Sequence, residues 1–398
     1  MGMEQLLTKQ EVWCDFLQHK KEGGHLSVLD ENALTAFIDQ KAYLIPVQKI
    51  LSGEGFSPPQ KHIISKQSSS KKRVVYCYAE EENNTLKLLT YLLQKKYDHL
   101  FADNLYSFRP GISAKTAIGR IISTPQLNQM WGYKLDISNY FNSVPVKAMV
   151  TILNEVLEDE PVIRMFIVGL LCQPNVLENG VLHPEEKGIM AGVPISGFLA
   201  NLYLNALDHA FADEGILYAR YSDDIILFEK DKPSLDAAVR RLKAYLIKAG
   251  LAVNPKKEKF TAPGERFEFL GVSYCGGTLD ISEISKQKLK SKMRRKARAL
   301  MQWKDKKGID GIYAAKAFVK AFHRKLFDNP KEHELTWVKW YFPLINTDVS
   351  LKEIDQYRLN CIRYLATGKH NGAAYRFDYE GIKKLGYVSL VHEFYHRT

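Results

Sequence analysis

The chain has 398 residues, 45% hydrophobic and 25% charged, with a formal net charge of +11; that length carries two or three subdomains with cores of their own, and the basic excess suits a polyanionic partner. Cys14, Cys77, Cys172, Cys275 and Cys361 are scattered and never in Cys-x-x-Cys spacing, which argues against a zinc module and for reduced thiols. No apolar signal region opens the chain, and the longest apolar stretch, around residues 165–172, is too short to span a bilayer, so the expectation is a soluble, cytoplasmic protein without a membrane partner.

In chain order, residues 1–50 read as helical, with Val12, Trp13, Phe16 and Leu17 at helix spacing. Residues 53–59 and 68–73 are loop signals, the second basic, and 73–78 is a β-rich strand. Residues 82–97, with Leu86, Leu89, Leu92 and Leu93, form an amphipathic helix. Tyr133, Leu135 and Ile137 alternate with polar neighbours, which predicts a strand ending near Asp136, and Ser138 and Asn139 suit a turn or helix start. Residues 147–171 read as helical and 174–184 as a loop. Pro194 and Ser196 open a helix through Phe211, Ser as its cap. Residues 218–221 and 225–228 are strands around a tight turn at Ser222-Asp223-Asp224, and 234–249 is a helix ended by Gly250. With a further strand at Phe269 the order is β-α-β-β-α-β, the split βαβ pattern. From Ile284 to about Leu365 the chain reads as helical, and the run 286–298 is crowded with Lys and Arg. The segment 375–390 is an aromatic and basic tail that either packs or stacks on RNA bases.

Adjacent carboxylates repel, so Asp223-Asp224 between apolar strands calls for a cation. Magnesium fits, a hard ion held by one or two carboxylates plus substrate phosphates. Phosphoryl transfer by two metals needs carboxylates from different strands converging on ions about 3.5–4 Å apart. Asp136 at a strand end and the Asp223-Asp224 hairpin supply that set.

These segments resemble the motifs of reverse transcriptases. Residues 134–141, Lys-Leu-Asp-Ile-Ser-Asn-Tyr-Phe, look like the first catalytic motif, and Tyr221-Ser222-Asp223-Asp224 like the Tyr-x-Asp-Asp box. Between them, Gly192-Val193-Pro194-Ile195-Ser196 is similar to the Gly-x-Pro-x-Ser segment of bacterial members, retron and group II intron types included. Residues 105–111, Leu-Tyr-Ser-Phe-Arg-Pro-Gly, resemble a fingers motif, and 254–257 and 269–272 the two short motifs after the catalytic box. The order is intact from about Arg73 to Val272. Two departures stand out: Met190-Ala191-Gly192 replaces the usual Pro-Gln-Gly, and Glu258 replaces the usual Thr or Ser. They bear on nucleotide selectivity and processivity more than on catalysis.

The resemblance implies an α+β right-hand polymerase: N-terminal helices and fingers over residues 1–130, a split-βαβ palm over 131–280 with a fingers insertion at about 147–187, and a helical thumb and tail over 281–398. It implies an RNA-directed DNA polymerase using two Mg2+ ions, with Mn2+ as an alternative, held by Asp136, Asp223 and Asp224. Its partners would be a structured non-coding RNA template, deoxynucleoside triphosphates and a DNA product; a homo-oligomer is compatible. Phe141 would crowd the sugar 2′ position, with core packing as the rival reading. Lys257 would donate a proton to pyrophosphate, with a surface lysine as the rival. Arg73 and Arg109 would hold triphosphate or template, Arg73 alternatively a loop-anchoring ion pair. Gly192 would let backbone approach the nascent base pair. Lys292, Arg294, Arg295 and Arg298 would contact nucleic-acid phosphates, or form a solvated face. Rival functions are an RNA-directed RNA polymerase, an inactive RNA scaffold, and untemplated or protein-primed synthesis. With no endonuclease, integrase or RNase H signature, the closest likeness is to retron and anti-phage defence types.

Overall fold

The computed structural model describes residues 2–23, 26–65, 72–327, 336–369 and 372–397. Most of the basic loop expected at residues 68–73 therefore lies outside the described residues. The chain divides into two units, residues 1–23 with 29–265 and residues 24–28 with 266–398.

In the first unit, helices Met3–Leu7, Gln10–Glu22, Val28–Asp39 and Leu44–Leu51 precede the sheets. Trp13 and Phe16 are buried, and the Trp13 ring stacks on Tyr43 at 5.0 Å. Strands β1 (Gln60–Ser65) and β2 (Lys72–Cys77) pair antiparallel. The next helix, Glu80–Tyr97, opens on three glutamates and closes on Lys95 and Lys96, which complements its dipole, and it buries Leu86, Leu89, Leu92 and Leu93. β3 (Trp131–Asp136) then crosses the core, with Tyr133 and Leu135 buried.

Helices Val146–Val156 and Pro161–Cys172 follow, and after them the chain departs from expectation. Instead of a loop at 174–184 there is a hairpin of β4 (Asn175–Glu178) and β5 (Val181–Pro184). Its turn residues Asn179 and Gly180 both have positive φ, as the two-residue turn that matches strand twist requires. The hairpin extends the first sheet to the order β2-β1-β4-β5.

The expected helix over 194–211 is two helices, Ser196–Tyr203 and Asn205–Asp213, broken at Leu204. Ser196 is no cap: its hydroxyl turns back to the carbonyls of Ile189 and Met190 at 2.5 and 2.6 Å. β6 (Leu217–Tyr221) and β7 (Asp224–Glu229) form the hairpin around Ser222-Asp223. Helix Lys232–Lys248 starts at Asp231, whose carboxylate accepts from Ser234 N at 2.8 Å, and returns the chain to β8 (Lys259–Thr261). The second sheet has the order β6-β7-β3-β8. Its fourth strand is thus Lys259–Thr261, not the Phe269 strand anticipated from the sequence.

Phe269 belongs to the second unit, in a sheet ordered β11-β10-β9: β9 (Phe267–Phe269), β10 (Val272–Cys275) and β11 (Thr278–Ile281). The boundary between the two units falls at residues 265/266. Helices Glu283–Lys307, Gly311–Leu326 and Val349–Thr367 pack on one another. The aromatic tail packs too. Arg358 donates to the Val388 carbonyl at 3.0 Å and lies over the Tyr387 ring, while Asp355 accepts from Ser389 Oγ and Val391 N. Among the described residues, no helix is long and apolar enough to cross a membrane, and none of the five cysteines is in a disulfide.

Candidate active site

β3 and β7 run antiparallel in a register that sets Asp136 directly opposite Asp224. Asp223 occupies the two-residue turn between β6 and β7, and its carbonyl accepts from Ile137 N at 2.9 Å. Three acids separated by nearly a hundred positions in the chain therefore meet at one end of one sheet. Asp136 is buried at 4% exposure, and burial first, then the charges of Asp136 and Asp224, push the Asp223 carboxyl up from its ordinary value.

The charge is offset by lysines. Lys257 pairs with Asp136 Oδ2, and Lys134 lies 3.7 Å from Asp224 Oδ1. Asn254 adds two contacts to Asp136, its backbone N to the carbonyl at 2.8 Å and its Nδ2 to Oδ1 at 3.3 Å. Among the described residues, no group of three or more His, Cys, Asp or Glu side chains is arranged to hold a metal ion by itself. Open carboxylates of this kind suit magnesium, which keeps places for water and substrate phosphate.

A buried framework holds the turn. Ser222 has φ 60, and its N donates to Ser107 Oγ at 2.8 Å. Arg220, fully buried, grips Asp208 through Nε and Nη2, and reaches the Asn201 carbonyl at 3.3 Å and the Ser222 carbonyl at 3.5 Å. The segment before Ser107 is bridged to β6, Arg220 N donating to Asn104 O and Tyr106 N to Arg220 O. The sequence reading named none of Ser107, Asn201, Asp208 and Arg220 as site residues. The one available signal was an arginine inside an apolar strand, which needs an acid partner.

Phe141 sits in the short helix Tyr140–Ser143, half-buried, on the same end of the sheet as Asp136. Behind it, Asn142 Oδ1 accepts from Ala191 N at 2.8 Å and the Ala191 carbonyl accepts from Tyr76 N at 2.8 Å. The backbone at Ala191 thus ties β2 to the Phe141 helix, while its side chain offers no amide. Gly192 has φ +103, and a Cβ there would come within 2.9 Å of the Tyr76 carbonyl. Glycine is required here by the closeness of β2 and by the backbone conformation. Glu258 accepts from Tyr133 OH at 2.5 Å and pairs with Lys243.

Arg109 is held within its own segment. Its guanidinium makes bonds to both Asp98 carboxylate oxygens and to the carbonyls of Asp98, Ala102 and Leu105. Arginine has five N–H donors, so none remains for a phosphate. Arg73 is different: it lies exposed on β2 opposite Ile64, and among the described residues no ion pair holds it.

This geometry matches one family. Its model, reverse transcriptase (RNA-dependent DNA polymerase), covers residues 64–274, more than half of the chain. The chain belongs to this family. In the reverse transcriptase, the three aspartates lie at one end of the sheet ordered β6-β7-β3-β8. Relatives include the group II intron-encoded protein LtrA of Lactococcus lactis, 25% identical over 193 residues, 48% of this chain and 31% of LtrA. An uncharacterized 91 kDa protein in the cob intron of Schizosaccharomyces pombe is 28% identical over 162 residues, 41% of this chain and 20% of its own length. The chain thus spans a third or less of these curated relatives. Among solved structures, apo telomerase from Candida tropicalis aligns with a TM-score of 0.47 at 14% identity, over 83% of this chain and 69% of the telomerase.

In the second unit of the reverse transcriptase, helix Glu283–Lys307 buries Leu289, Met293, Ala297 and Leu300, and Lys286 with them. The basic run is not uniformly available. Lys286 and Lys290 pair with Glu353, Arg294 Nε donates to Tyr357 OH at 3.3 Å, and Lys292 is half-buried beside Lys325 and Arg295. Arg295 and Arg298 are exposed. Removing one cation that neutralises a phosphate flattens the slope of log affinity against log salt by roughly 0.7–0.9. Replacing Lys292, Arg294, Arg295 and Arg298 together by Gln is expected to flatten the slope by about two units, less than four fully engaged cations would give. RNA-binding titrations at several salt concentrations measure it, and an unchanged slope with an unchanged melting temperature assigns this run to a solvated face.

Proposed function

We propose that this chain is an RNA-directed DNA polymerase that extends a primer hydroxyl with deoxynucleoside triphosphates by two-metal nucleotidyl transfer. The carrying observation is the register of Asp136 against Asp224 with Asp223 in the adjoining turn. Asp136, Asp223 and Asp224 would hold two Mg2+ ions, with Mn2+ as an alternative, and these supply a lowered pKa at the attacking hydroxyl and charge compensation at the leaving pyrophosphate.

The chain's own residues position and select. Lys257 balances Asp136 and, once released from it, is placed to give a proton to the leaving group. Phe141 presents an aromatic ring near the acids where a ribose 2′-hydroxyl would clash, which favours DNA synthesis over the RNA polymerase reading. Arg73 is the remaining arginine for a triphosphate or template phosphate. Primer extension on an RNA template, with matched deoxy- and ribonucleotides in separate reactions, tests the function. Extension with deoxynucleotides, dependent on a divalent ion and on the template, supports it; equal use of both sugars returns the chain to the RNA polymerase class.

The narrower role, copying a dedicated structured RNA into cDNA in anti-phage defence, is supported by the sequence resemblance alone. Sequencing the nucleic acid that copurifies with the chain tests it, and a heterogeneous RNA population would overturn it.

A further inference from the structure

Phe108 stands between two anchored neighbours. Ser107 is fully buried, its Oγ accepting from Ser222 N in the catalytic turn and its carbonyl accepting from Asn201 Nδ2 at 2.7 Å. Arg109 has every donor engaged, and the Phe108 carbonyl itself accepts from Gln94 Nε2 at 2.8 Å. Held from both sides, Phe108 takes φ 52, a left-handed backbone that a bulky side chain rarely adopts and that glycine would take without strain. Such strain persists where the surroundings over-determine it, and it gathers at functional sites.

Burial does not account for the ring. Phe108 is 42% exposed, so a good part of its apolar surface is left in water. Its contacts are specific instead. The ring meets Phe141 edge-to-face, centroids 6.0 Å apart and planes at 88°. On another side lies Gly197, where an added Cβ would come within 2.7 Å of the Phe108 ring. The helix that follows the Gly-x-Pro-x-Ser segment thus has a glycine where the ring needs room.

We propose that Phe108 is a positioning residue for sugar selection, bracing the Phe141 ring so that the pair sets the preference for deoxy- over ribonucleoside triphosphates. The inference rests on Phe141 crowding the 2′ position. Because the same segment fastens the turn that carries Asp223, it ties the height of the sugar barrier to the placement of the acids. A ring free to rotate away would admit the ribose; a braced ring does not.

The test is competitive single-nucleotide incorporation by the full chain on an RNA template with a DNA primer, using matched ribo- and deoxynucleoside triphosphates. Phe108→Gly is expected to raise the ribo-to-deoxy ratio about two- to tenfold, the range that removal of an edge-to-face aromatic pair corresponds to. Its deoxynucleotide rate and melting temperature are measured alongside, so that a change in the ratio is told apart from a general loss of activity or of folding. Phe108→Tyr keeps the ring and should keep the ratio. Phe141→Ala separates the two ideas. If Phe141→Ala raises the ratio and Phe108→Gly does not, the bracing role is wrong. If Phe141→Ala leaves the ratio unchanged, the reading of Phe141 itself fails. Loss of all extension by Phe108→Gly, with Phe108→Tyr also impaired, would place the residue in loop folding and overturn the proposal.

Discussion

Asp136→Asn and Asp223→Asn are each expected to lower nucleotide incorporation by at least about a thousandfold, because several kcal/mol of charge compensation at the reacting phosphate is lost. Folding should survive. Without a divalent ion, Asp136, Asp223 and Asp224 repel one another at the end of the palm sheet, and burial with those neighbours holds the Asp223 carboxyl above its ordinary range. A carboxyl whose folded pKa is raised stabilises the fold only while protonated, and that contribution disappears as pH rises through the raised value. Measured against Asp223→Asn, the metal-free parent should therefore lose stability as pH climbs out of the ordinary carboxylate range towards neutrality. The variant should melt no lower than the parent at neutral pH. Primer extension, with thermal melts in chelator between about pH 4 and pH 8, measures both arms. Extension by the double variant Asp136→Asn/Asp223→Asn within tenfold of the parent would falsify the carboxylate mechanism.

The catalytic strands were legible because their signals are local. Alternation of Tyr133, Leu135 and Ile137 places Asp136 at a strand end, and apolar runs on either side of Ser222-Asp223 leave only a turn between them. Asn179-Gly180 carried an equally local signal: flanked by Val and Leu on both sides, it specifies a tight hairpin, and the proline at each end of 174–184 hid it by suggesting a loop. The fourth strand of the sheet with the aspartates was not legible for a different reason. Lys259–Thr261 and Phe267–Phe269 are equally short, and only the second, Phe-Glu-Phe, shows an apolar alternation. Which of two candidate strands joins a sheet is decided by partners more than a hundred residues away, here Gly132 to Lys134.

Side-chain roles divide along the same line. The acids could be assigned because their chemistry admits few alternatives. Arginines admit many. Arg109 sits in a motif that resembles a fingers element, yet its partners are Asp98 and three backbone carbonyls of the same turn, which no spacing rule exposes. The break at Leu204 is likewise tertiary: Asn205 and His209 both reach the Leu100 carbonyl, an attachment that reorients the second helix and has no local sequence mark.

Asp208→Ala should be the most destabilising single change outside the hydrophobic core. Asp208 and Arg220 are both fully excluded from solvent, joined at 2.8 Å through Nε and 2.5 Å through Nη2, and Tyr218 OH donates to the same carboxylate at 2.9 Å. Removing the acid leaves a buried guanidinium without a counter-charge, a loss of about 3–5 kcal/mol, expected as a fall in melting temperature of roughly 10 °C. Arg220→Met should cost a similar amount by stranding the carboxylate. The double change Asp208→Leu/Arg220→Met should recover most of that stability, since well-packed apolar groups replace a buried pair at little net cost. Activity should not recover with it. Arg220 also reaches the carbonyls of Ser222 and Asn201, so its loss unfastens the turn that carries Asp223 even where the core is repaired. Melting curves and single-turnover primer extension on the three variants separate the two effects. A double variant that regains both stability and full incorporation would reduce the pair to a core contact with no part in holding the catalytic turn.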